Sequence, residues 1–241
     1  MFNIFVTRMV PEAGLTLLRE KGCVLHVNEE DRVLTKEELM ESLRGKAYDA
    51  LFCLLTDKID REVMEAAGPS LKIIANYAVG FDNIDIPAAK EKGLAVTNTP
   101  GVLTETVAEH TFALILAVAH KIAEADRFTR EGQYHGWAPM LLLGTDVSHA
   151  TLGIIGLGRI GSRVAHHAVH GFDMKVVYYD VARNEAFEKE FGATYVSLED
   201  LLAQSDFVSI HVPLLPSTKH LLNRERLGLM KKTAYLVNTS R

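Results

Sequence analysis

Short apolar runs alternate with helix-like stretches over residues 1–98. Four runs have the length and composition of buried strands: FNIFVT (2–7), CVLHV (23–27), DALFCLL (49–55) and LKIIAN (71–76). Three stretches between them predict helices that end at a glycine: EAGLTLLREKG (12–22), TKEELMESLRG (35–45) and DREVMEAAG (60–68). Thr35 and Asp60 are suited to cap the second and third helices, because their side chains accept hydrogen bonds from backbone N–H groups. The alternation predicts a parallel sheet with helices on both faces.

The pattern changes at LAVTNTPG (94–101), where Pro100 and Gly101 interrupt the alternation. Residues 104–132 then predict one long helix. Its apolar positions cover most of its surface, which is typical of a helix buried between layers or domains. We interpret this helix as a connector and QYHGWAPMLLLGTDVSHA (133–150) as a loop.

A second α/β segment begins at TLGIIG (151–156). Its further predicted strands are MKVVYYD (174–180), ATYV (193–196), DFVSIHV (206–212) and TAYLVNT (233–239). Its predicted helices cover residues 159–170, 184–191 and 198–203. The chain therefore belongs to the α/β class and is predicted to contain two parallel-sheet domains.

Composition excludes several classes of protein. Of the 241 residues, 48% are hydrophobic and 24% are charged, which excludes intrinsic disorder. The formal net charge of −5, with no basic block, predicts no nucleic-acid partner. The longest wholly apolar run, FALILAVA (112–119), is far shorter than the ~20 residues that cross a bilayer, so no membrane association is expected.

The N-terminus and the cysteines favour a reducing compartment. MFNIFVTR lacks the basic region, apolar core and cleavage site of a secretory signal. Cys23 and Cys53 have neither metal nor redox spacing, and both lie in apolar stretches, as buried thiols do. We therefore expect a cytoplasmic protein.

The sharpest local motif is the glycine-rich turn GLGRIG (156–161). It follows a strand-like run and opens a predicted helix, which is the context in which GxGxxG binds a dinucleotide. Gly156 permits the tight turn, Gly158 lets the backbone approach a pyrophosphate, and Gly161 lets the helix pack closely on the strand. Free N–H groups and the positive end of the helix dipole favour an anion there.

Asp180 ends the next predicted strand, 19 positions after Gly161. Its carboxylate can accept hydrogen bonds from the hydroxyls of the adenine ribose and would repel a 2′-phosphate, so NAD is favoured over NADP. Arg183 weakens this preference, because an arginine there can meet a 2′-phosphate. Two other interpretations stay open: a glycine-rich turn without a ligand, and a methyltransferase that uses S-adenosylmethionine.

Five segments occur in a characteristic order: NYAVGFDNIDIPAAKEKGLAVTNTPG, TVAEHTFALILA, LGIIGLGRIG, SDFVSIHVPLLPSTKHLLN and MKKTAYLVNTSR. Together they resemble the D-isomer-specific 2-hydroxyacid dehydrogenase family, and GWAPMLLLGTDV resembles its glyoxylate or hydroxypyruvate reductase branch. The resemblance implies a flavodoxin-like substrate-binding domain (1–99) and a Rossmann NAD-binding domain (100–241). It also implies reduction of a small 2-oxoacid to the D-2-hydroxyacid in the cleft between the domains, and a homodimer formed through the Rossmann domain.

The resemblance also assigns site residues by position. Val79 and Gly80 match the loop whose N–H groups hold the substrate carboxylate. Arg241 matches the catalytic and substrate-binding arginine, whose planar guanidinium can hold a carboxylate and polarise the neighbouring ketone. The positions that match the cofactor site are Thr106, Gly156, Gly158, Arg159, Ile160, Gly161, Asp180, His211, Val212, Pro213, Thr218, Thr239 and Ser240.

The family mechanism needs two further residues, a histidine that protonates the substrate oxygen and a carboxylate that raises the pKa of that histidine. Both follow the arginine in family order, and none of the ten histidines in this sequence stands in that place. His166 and His170 have a spacing that can ligate a metal, but a helix surface is the favoured interpretation and no metal is predicted. We therefore expect a chain that lacks the C-terminal part of its domains, binds NAD and has little or no turnover.

Two alternative functions remain open on the same scaffold. One is a catalytically incompetent NAD-binding regulatory module. The other is a dehydrogenase of phosphoglycerate or phosphite, because nothing up to Arg241 separates these substrates from a 2-oxoacid.

Overall fold

The computed structural model describes residues 1–240 and separates into two compact units, Met1–Val102 and a second unit that begins at Leu103. Each unit contains one five-stranded sheet. Every strand pairing in both sheets is parallel. The predicted α/β class with two parallel sheets is therefore confirmed.

The first unit is a sheet of strand order β2-β1-β3-β4-β5. Its strands are β1 (Asn3–Val6), β2 (Val24–Val27), β3 (Ala50–Leu54), β4 (Ile73–Tyr77) and β5 (Ala95–Thr97). Its helices are α1 (Glu12–Glu20), α2 (Lys36–Leu43), α3 (Arg61–Ala67) and α4 (Ile86–Glu91). This strand order is that of flavodoxin-like folds, as expected from the sequence.

Local chemistry sets the helix ends in this unit. The Thr35 side chain accepts the Glu38 N–H while the Glu38 side chain accepts the Thr35 N–H, which is a capping box in front of α2. Asp60 accepts the Val63 N–H in front of α3. The sequence pattern did not reveal α4 and β5, because they have only six and three residues and so show too little periodicity.

The second unit is a sheet of strand order β10-β9-β6-β7-β8, which corresponds to five strands of the Rossmann fold. Its strands are β6 (Thr151–Ile155), β7 (Lys175–Tyr179), β8 (Thr194–Tyr195), β9 (Phe207–Ile210) and β10 (Tyr235–Asn238). Its helices are α5 (Thr104–Ala119), α6 (Ile122–Arg130), α7 (Arg159–Phe172), α8 (Glu185–Phe191), α9 (Leu198–Gln204) and α10 (Arg224–Leu229). Of these, the short helix α10 was not predicted.

The prediction of one long helix over residues 104–132 is wrong. Two helices, α5 and α6, meet there at 61°, and Lys121 between them has a left-handed φ of 53°. The Thr145 N–H donates to the Ala119 carbonyl at 2.9 Å, and a Cβ on Gly144 would lie 2.5 Å from the same oxygen. The Ala119 carbonyl therefore accepts a hydrogen bond from the segment at Gly144 and Thr145 and not from the next turn of a continuing helix.

The expectation that this helix is apolar and buried nearly all round is also wrong. Helix α5 buries one face, formed by Ala108, Thr111, Phe112, Ile115 and Ala119, and this face packs on α7 and β10. Val118, on another face, is 42% exposed. Within residues 1–240 no single helix is long and apolar enough to cross a bilayer, although the bent pair α5–α6 reaches that length and composition when taken together.

Candidate functional site

The carboxyl ends of β6, β7 and β9 meet at the turn that follows β6, because neighbouring strands of this sheet are parallel. Gly156 has a φ of 95°, and its N–H donates to the Tyr179 carbonyl of β7 at 2.9 Å. A Cβ on Gly156 would lie 2.8 Å from Val212 Cγ1 and 2.9 Å from the His211 carbonyl oxygen. Both its conformation and its surroundings therefore require glycine at this position.

Gly161 is required by close packing alone. A Cβ on this residue would lie 2.1 Å from the Gly156 carbonyl oxygen, a backbone atom that cannot move aside cheaply. The first turn of α7 therefore packs directly on the turn that precedes it. This contact confirms the role in helix packing that the motif predicts for Gly161.

Gly158 differs from the other two glycines of the turn. Its φ of −72° is open to any residue, and a Cβ built on it would meet no heavy atom within 4 Å. The packing of the described chain therefore gives no reason for a glycine at this exposed position. A ligand that approaches the backbone at this point would supply the reason.

The start of α7 adds to the anion-binding character of the turn. The helix begins at Arg159, and its N-cap, Gly158, supplies no side-chain cap. N–H groups of the first turn therefore remain without intrahelical partners, and the helix dipole places partial positive charge there. Arg159 is exposed beside these groups, whereas Ile160 is partly buried against the hydrophobic core of this unit.

Asp180 follows β7 and is fixed against the turn. Its Oδ2 accepts the Leu157 N–H at 2.7 Å, and its Oδ1 accepts the Val181 N–H at 2.6 Å. The carboxylate thus lies beside the glycine-rich turn, as the motif predicts. It presents negative charge where the two strand ends meet.

The loop after β9 contains the other predicted positions. Val212, Pro213 and Thr218 line a pocket of about 340 Å³, which extends to Asn238 at the end of β10. The Thr218 side chain organises this loop, because it donates to the Pro213 carbonyl and accepts the Leu215 N–H. Thr218 therefore has a structural function in the loop that the sequence did not reveal.

His211 is a neutral residue in this setting. Its Nε2 lies 2.8 Å from the hydroxyl of Ser209, a fully buried residue. Burial lowers the pKa of His211 to about 4. At neutral pH the imidazole can line a ligand as an uncharged hydrogen-bonding group but cannot act as a cation.

The last described residues are tied to the sheet. The Thr239 hydroxyl lies 3.1 Å from that of Thr111 on α5, and the Ser240 hydroxyl donates to the Ile210 carbonyl at 3.0 Å. These contacts hold the end of β10 in position. The predicted catalytic arginine, Arg241, lies outside the described residues.

In the first unit, two buried or partly buried amides hold the loop that contains Val79 and Gly80. The Asn98 Nδ2 donates to the Val79 carbonyl at 2.8 Å, and the Asn76 Nδ2 donates to the Gly80 carbonyl at 2.8 Å. In a trans peptide the carbonyl and the following N–H group point in opposite directions. Asn98 therefore directs the Gly80 N–H away from itself, and Asn76 does the same for the Phe81 N–H.

The sequence analysis did not single out Asn76 or Asn98. The signal for Asn76 was an amide inside the apolar run LKIIAN, because a polar side chain in a buried strand needs a hydrogen-bond partner. Asn76 is 3% exposed and also bonds Asn83, whose Nδ2 donates to the carbonyls of Leu54 and Asp57. The loop therefore rests on a chain of amides reaching β3.

Thr106, predicted for the cofactor site, and His166 and His170, for which a helix surface was the favoured interpretation, all lie on helices of the second unit. Thr106 is exposed in the first turn of α5, next to Glu105, whose carboxylate accepts a hydrogen bond from Arg163 of α7 at 2.6 Å. The rings of His166 and His170 on α7 lie 4.6 Å apart between centroids. Among residues 1–240 no group of three potential metal ligands comes together.

Comparison with known proteins places these features in a family. Residues 112–241 match the model of the D-isomer specific 2-hydroxyacid dehydrogenase NAD binding domain. A glyoxylate reductase from Korarchaeum cryptofilum is 53% identical over 240 residues, which cover 99% of this chain and 71% of that relative.

Solved structures agree with the sequence match. The crystal structure of the TT0316 protein from Thermus thermophilus is 44% identical and superposes with a TM-score of 0.91, covering 100% of this chain and 74% of that protein. The structure of a D-lactate dehydrogenase from Aquifex aeolicus, complexed with NAD and lactic acid, is 35% identical with a TM-score of 0.83. That match covers 99% of this chain and 69% of the dehydrogenase.

Proposed function

The chain belongs to the family of D-isomer-specific 2-hydroxyacid dehydrogenases, and from this premise we propose that it serves the reduction of glyoxylate or hydroxypyruvate with NADH. Reduction of a 2-oxoacid is the activity that the family supports in general. The observation that carries the proposal is the turn at residues 156–161, which places the open backbone of Gly158 at the uncapped start of α7.

The residues of the turn fit a dinucleotide. The backbone at Gly158 is open to a pyrophosphate, and the uncapped start of α7 offers N–H groups and a favourable dipole. A bound nicotinamide would supply the hydride, whereas the protein supplies position and charge. Val212 and Pro213 of the neighbouring pocket and the neutral His211 offer uncharged groups next to the turn.

The adenosine end is proposed to favour NAD over NADP. Asp180 is fixed beside the turn by two backbone N–H groups, so its negative charge opposes a 2′-phosphate. Arg183, the residue that would favour NADP, is paired with Glu188. Asp180→Ala should therefore relax the preference for NADH in a fluorescence titration with both dinucleotides.

Val79 and Gly80 are proposed to bind the substrate carboxylate, and Arg241 is proposed as a further substrate-binding residue. The amides of Asn76 and Asn98 support this role, because each holds a carbonyl and thereby directs the N–H group of the following residue away from that amide. Successive backbone N–H groups of a loop can bind an anion. For Arg241 the support is its match to the family position alone.

Turnover by these 241 residues is proposed to be slow, because they offer no paired proton donor of the kind the family uses. His167 Nε2 on α7 lies 3.9 Å from Glu105 Oε2 of α5, which is not the position of that proton donor in the family order. An assay with NADH and glyoxylate or hydroxypyruvate should give well below the ~1 s⁻¹ of an ordinary enzyme. Turnover near that rate would refute this part of the proposal.

A matched pair of glycine substitutions tests dinucleotide binding. Gly158→Ala introduces a methyl group that meets no protein atom, so stability should fall by no more than the ~1 kcal/mol that alanine costs at an N-cap, while NADH affinity falls at least about ten-fold through contact with the pyrophosphate. Gly171→Ala is the control, since Gly171 lies in the same helix and is equally open. Equal NADH affinity of both variants, measured by fluorescence, would refute the site.

A homodimer is proposed from the exposed apolar side chains of the second unit. Trp137 and Met140 in the loop 133–150 are 81% and 78% exposed, and Ile122 at the start of α6 is 53% exposed. Several large apolar side chains in water favour a protein partner. Light scattering after size-exclusion chromatography tests this, and a monomer at micromolar concentration would contradict it.

A cytoplasmic location is proposed from the cysteines. Cys23 and Cys53 are both free thiols, and burial raises the pKa of the Cys53 thiol to about 12, so it is unreactive at neutral pH. Free thiols are typical of reducing compartments.

A further inference from the structure

The segment after Asp180 contains an arginine that a carboxylate holds in place. Arg183 Nε donates to Glu188 Oε1 at 2.9 Å, and Arg183 Nη2 donates to Glu188 Oε2 at 2.7 Å. Two parallel hydrogen bonds are the strong geometry for an arginine and a carboxylate. The Nε and Nη2 groups of Arg183 are therefore both engaged by Glu188.

Glu188 is the fixed member of this pair. Its Oε1 also accepts the Tyr178 hydroxyl at 2.8 Å, and Tyr178 is fully buried. The same hydroxyl accepts the Asn184 N–H at 2.7 Å, which ties the arrangement to the start of α8. The Glu188 side chain is 15% exposed and that of Arg183 is 57% exposed, so the guanidinium is the group that can leave.

Arg183 lies in the loop between β7 and α8, three residues after Asp180. An arginine in this loop of a dinucleotide-binding fold can accommodate a 2′-phosphate. We propose that Glu188 is a specificity-determining residue, which holds Arg183 away from the 2′-phosphate position and so sets the site for NADH. This inference rests on the proposed dinucleotide-binding function of the turn.

The Arg183–Glu188 pair and Asp180 both lower the affinity for NADPH relative to NADH, but by different means. Asp180 repels a 2′-phosphate directly, whereas Glu188 withholds the positive charge that would attract it. A partly exposed ion pair is worth little in free energy, so its removal should alter affinity by about five-fold and not by orders of magnitude. The effect should fall on NADPH, because NADH has no group for Arg183 to meet.

Fluorescence titration of the 241-residue chain with NADH and NADPH tests the proposal. Glu188→Gln keeps the side-chain shape and an acceptor for Tyr178 but removes the charge. NADPH affinity should rise about five-fold, while NADH affinity stays within about two-fold. Adding Arg183→Ala should abolish the gain. Glu190→Gln, which removes the same charge from an exposed position of α8, should change neither affinity.

The possible outcomes separate this inference from the function on which it rests. An equal change for both dinucleotides, no change for either, or a gain in NADPH affinity that survives Arg183→Ala would overturn the role of Glu188 and leave the proposed dinucleotide-binding function standing. A folded, unsubstituted chain that binds neither dinucleotide would overturn the proposed function itself. If Glu188→Gln does not fold, Tyr178→Phe loosens the same carboxylate, and no rise in NADPH affinity in that variant would also overturn the role.

Discussion

Two loops, one in each unit, are proposed to hold an anionic group with backbone N–H groups, and they are built in different ways. In the turn 156–161, glycines provide the conformation and the close packing. In the loop at Val79 and Gly80, the side-chain amides of Asn76 and Asn98 anchor the carbonyls and thereby orient the following N–H groups. The turn 156–161 thus depends on residues without side chains, whereas the loop at Val79 and Gly80 depends on two particular side chains.

The difference shows what each design leaves visible in the sequence. A glycine turn is local, because its residues lie within six positions and act through their own backbone. The amide design is only partly local, since Asn76 is four positions from the carbonyl that it holds but Asn98 is 19 positions from its own. Only the first can be recognised as a spacing pattern.

The largest expected effect in this comparison is on the turn. Gly161→Ala should lower the free energy of unfolding by about 3 kcal/mol, because the new methyl group would overlap the Gly156 carbonyl oxygen at 2.1 Å. Urea denaturation measures this loss, with Gly171→Ala in the same helix as the control. Equal stability of the two variants would mean that packing does not require glycine at position 161.

The next largest effect is a pH dependence of the free energy of unfolding, which comes from His211 beside the turn. Burial lowers the pKa of His211 to about 4, so the unfolded chain binds a proton at pH values where the folded chain does not. The stability that His211 contributes is complete above about pH 6.5 and is lost as the pH falls toward 4, by about 2–3 kcal/mol. His211→Gln should remove this part of the pH dependence in urea denaturation between pH 7 and about 4.5. An unchanged profile would show that the imidazole is not buried as a neutral group.

On the other side of the comparison, Asn76→Ala should lower the free energy of unfolding by about 2 kcal/mol. It removes the side-chain donor that the Gly80 carbonyl and Asn83 Oδ1 share in a partly buried setting. Hydrogen exchange at the amides of the loop should accelerate as well. Slow exchange in this variant would contradict the idea that Asn76 holds the loop.

The smallest effect is expected for Asn98→Ala, about 1 kcal/mol, because Asn98 is only partly buried and water can replace its bond to Val79. If the loss exceeded that of Asn76→Ala, the anchoring of this loop would rest mainly on Val79 and not on Gly80. The two variants, compared by urea denaturation, therefore rank the two anchors.

Much of the fold was predictable from the sequence because its causes act over a few residues. Alternating apolar runs defined nine of the ten strands, and Thr35 and Asp60 marked helix starts through bonds to residues three positions away. The glycine turn and Asp180 were recognised in the same way, from spacing around a strand and a helix start. The family resemblance added positions such as Val79 and His211, whose roles no local pattern could supply.

Three features were decided by the tertiary structure alone. The break between α5 and α6 depends on Thr145, which takes the Ala119 carbonyl, and no proline or glycine between residues 104 and 130 marks it. The support of the Val79–Gly80 loop depends on amides brought together by the sheet. The pairing of Arg183 with Glu188 depends on a buried tyrosine that fixes the carboxylate. Sequence patterns report regular helical and turn spacings, whereas each of these features also needs a contact from outside its own segment: Thr145 to Ala119, Asn98 to Val79, and the buried Tyr178 to Glu188.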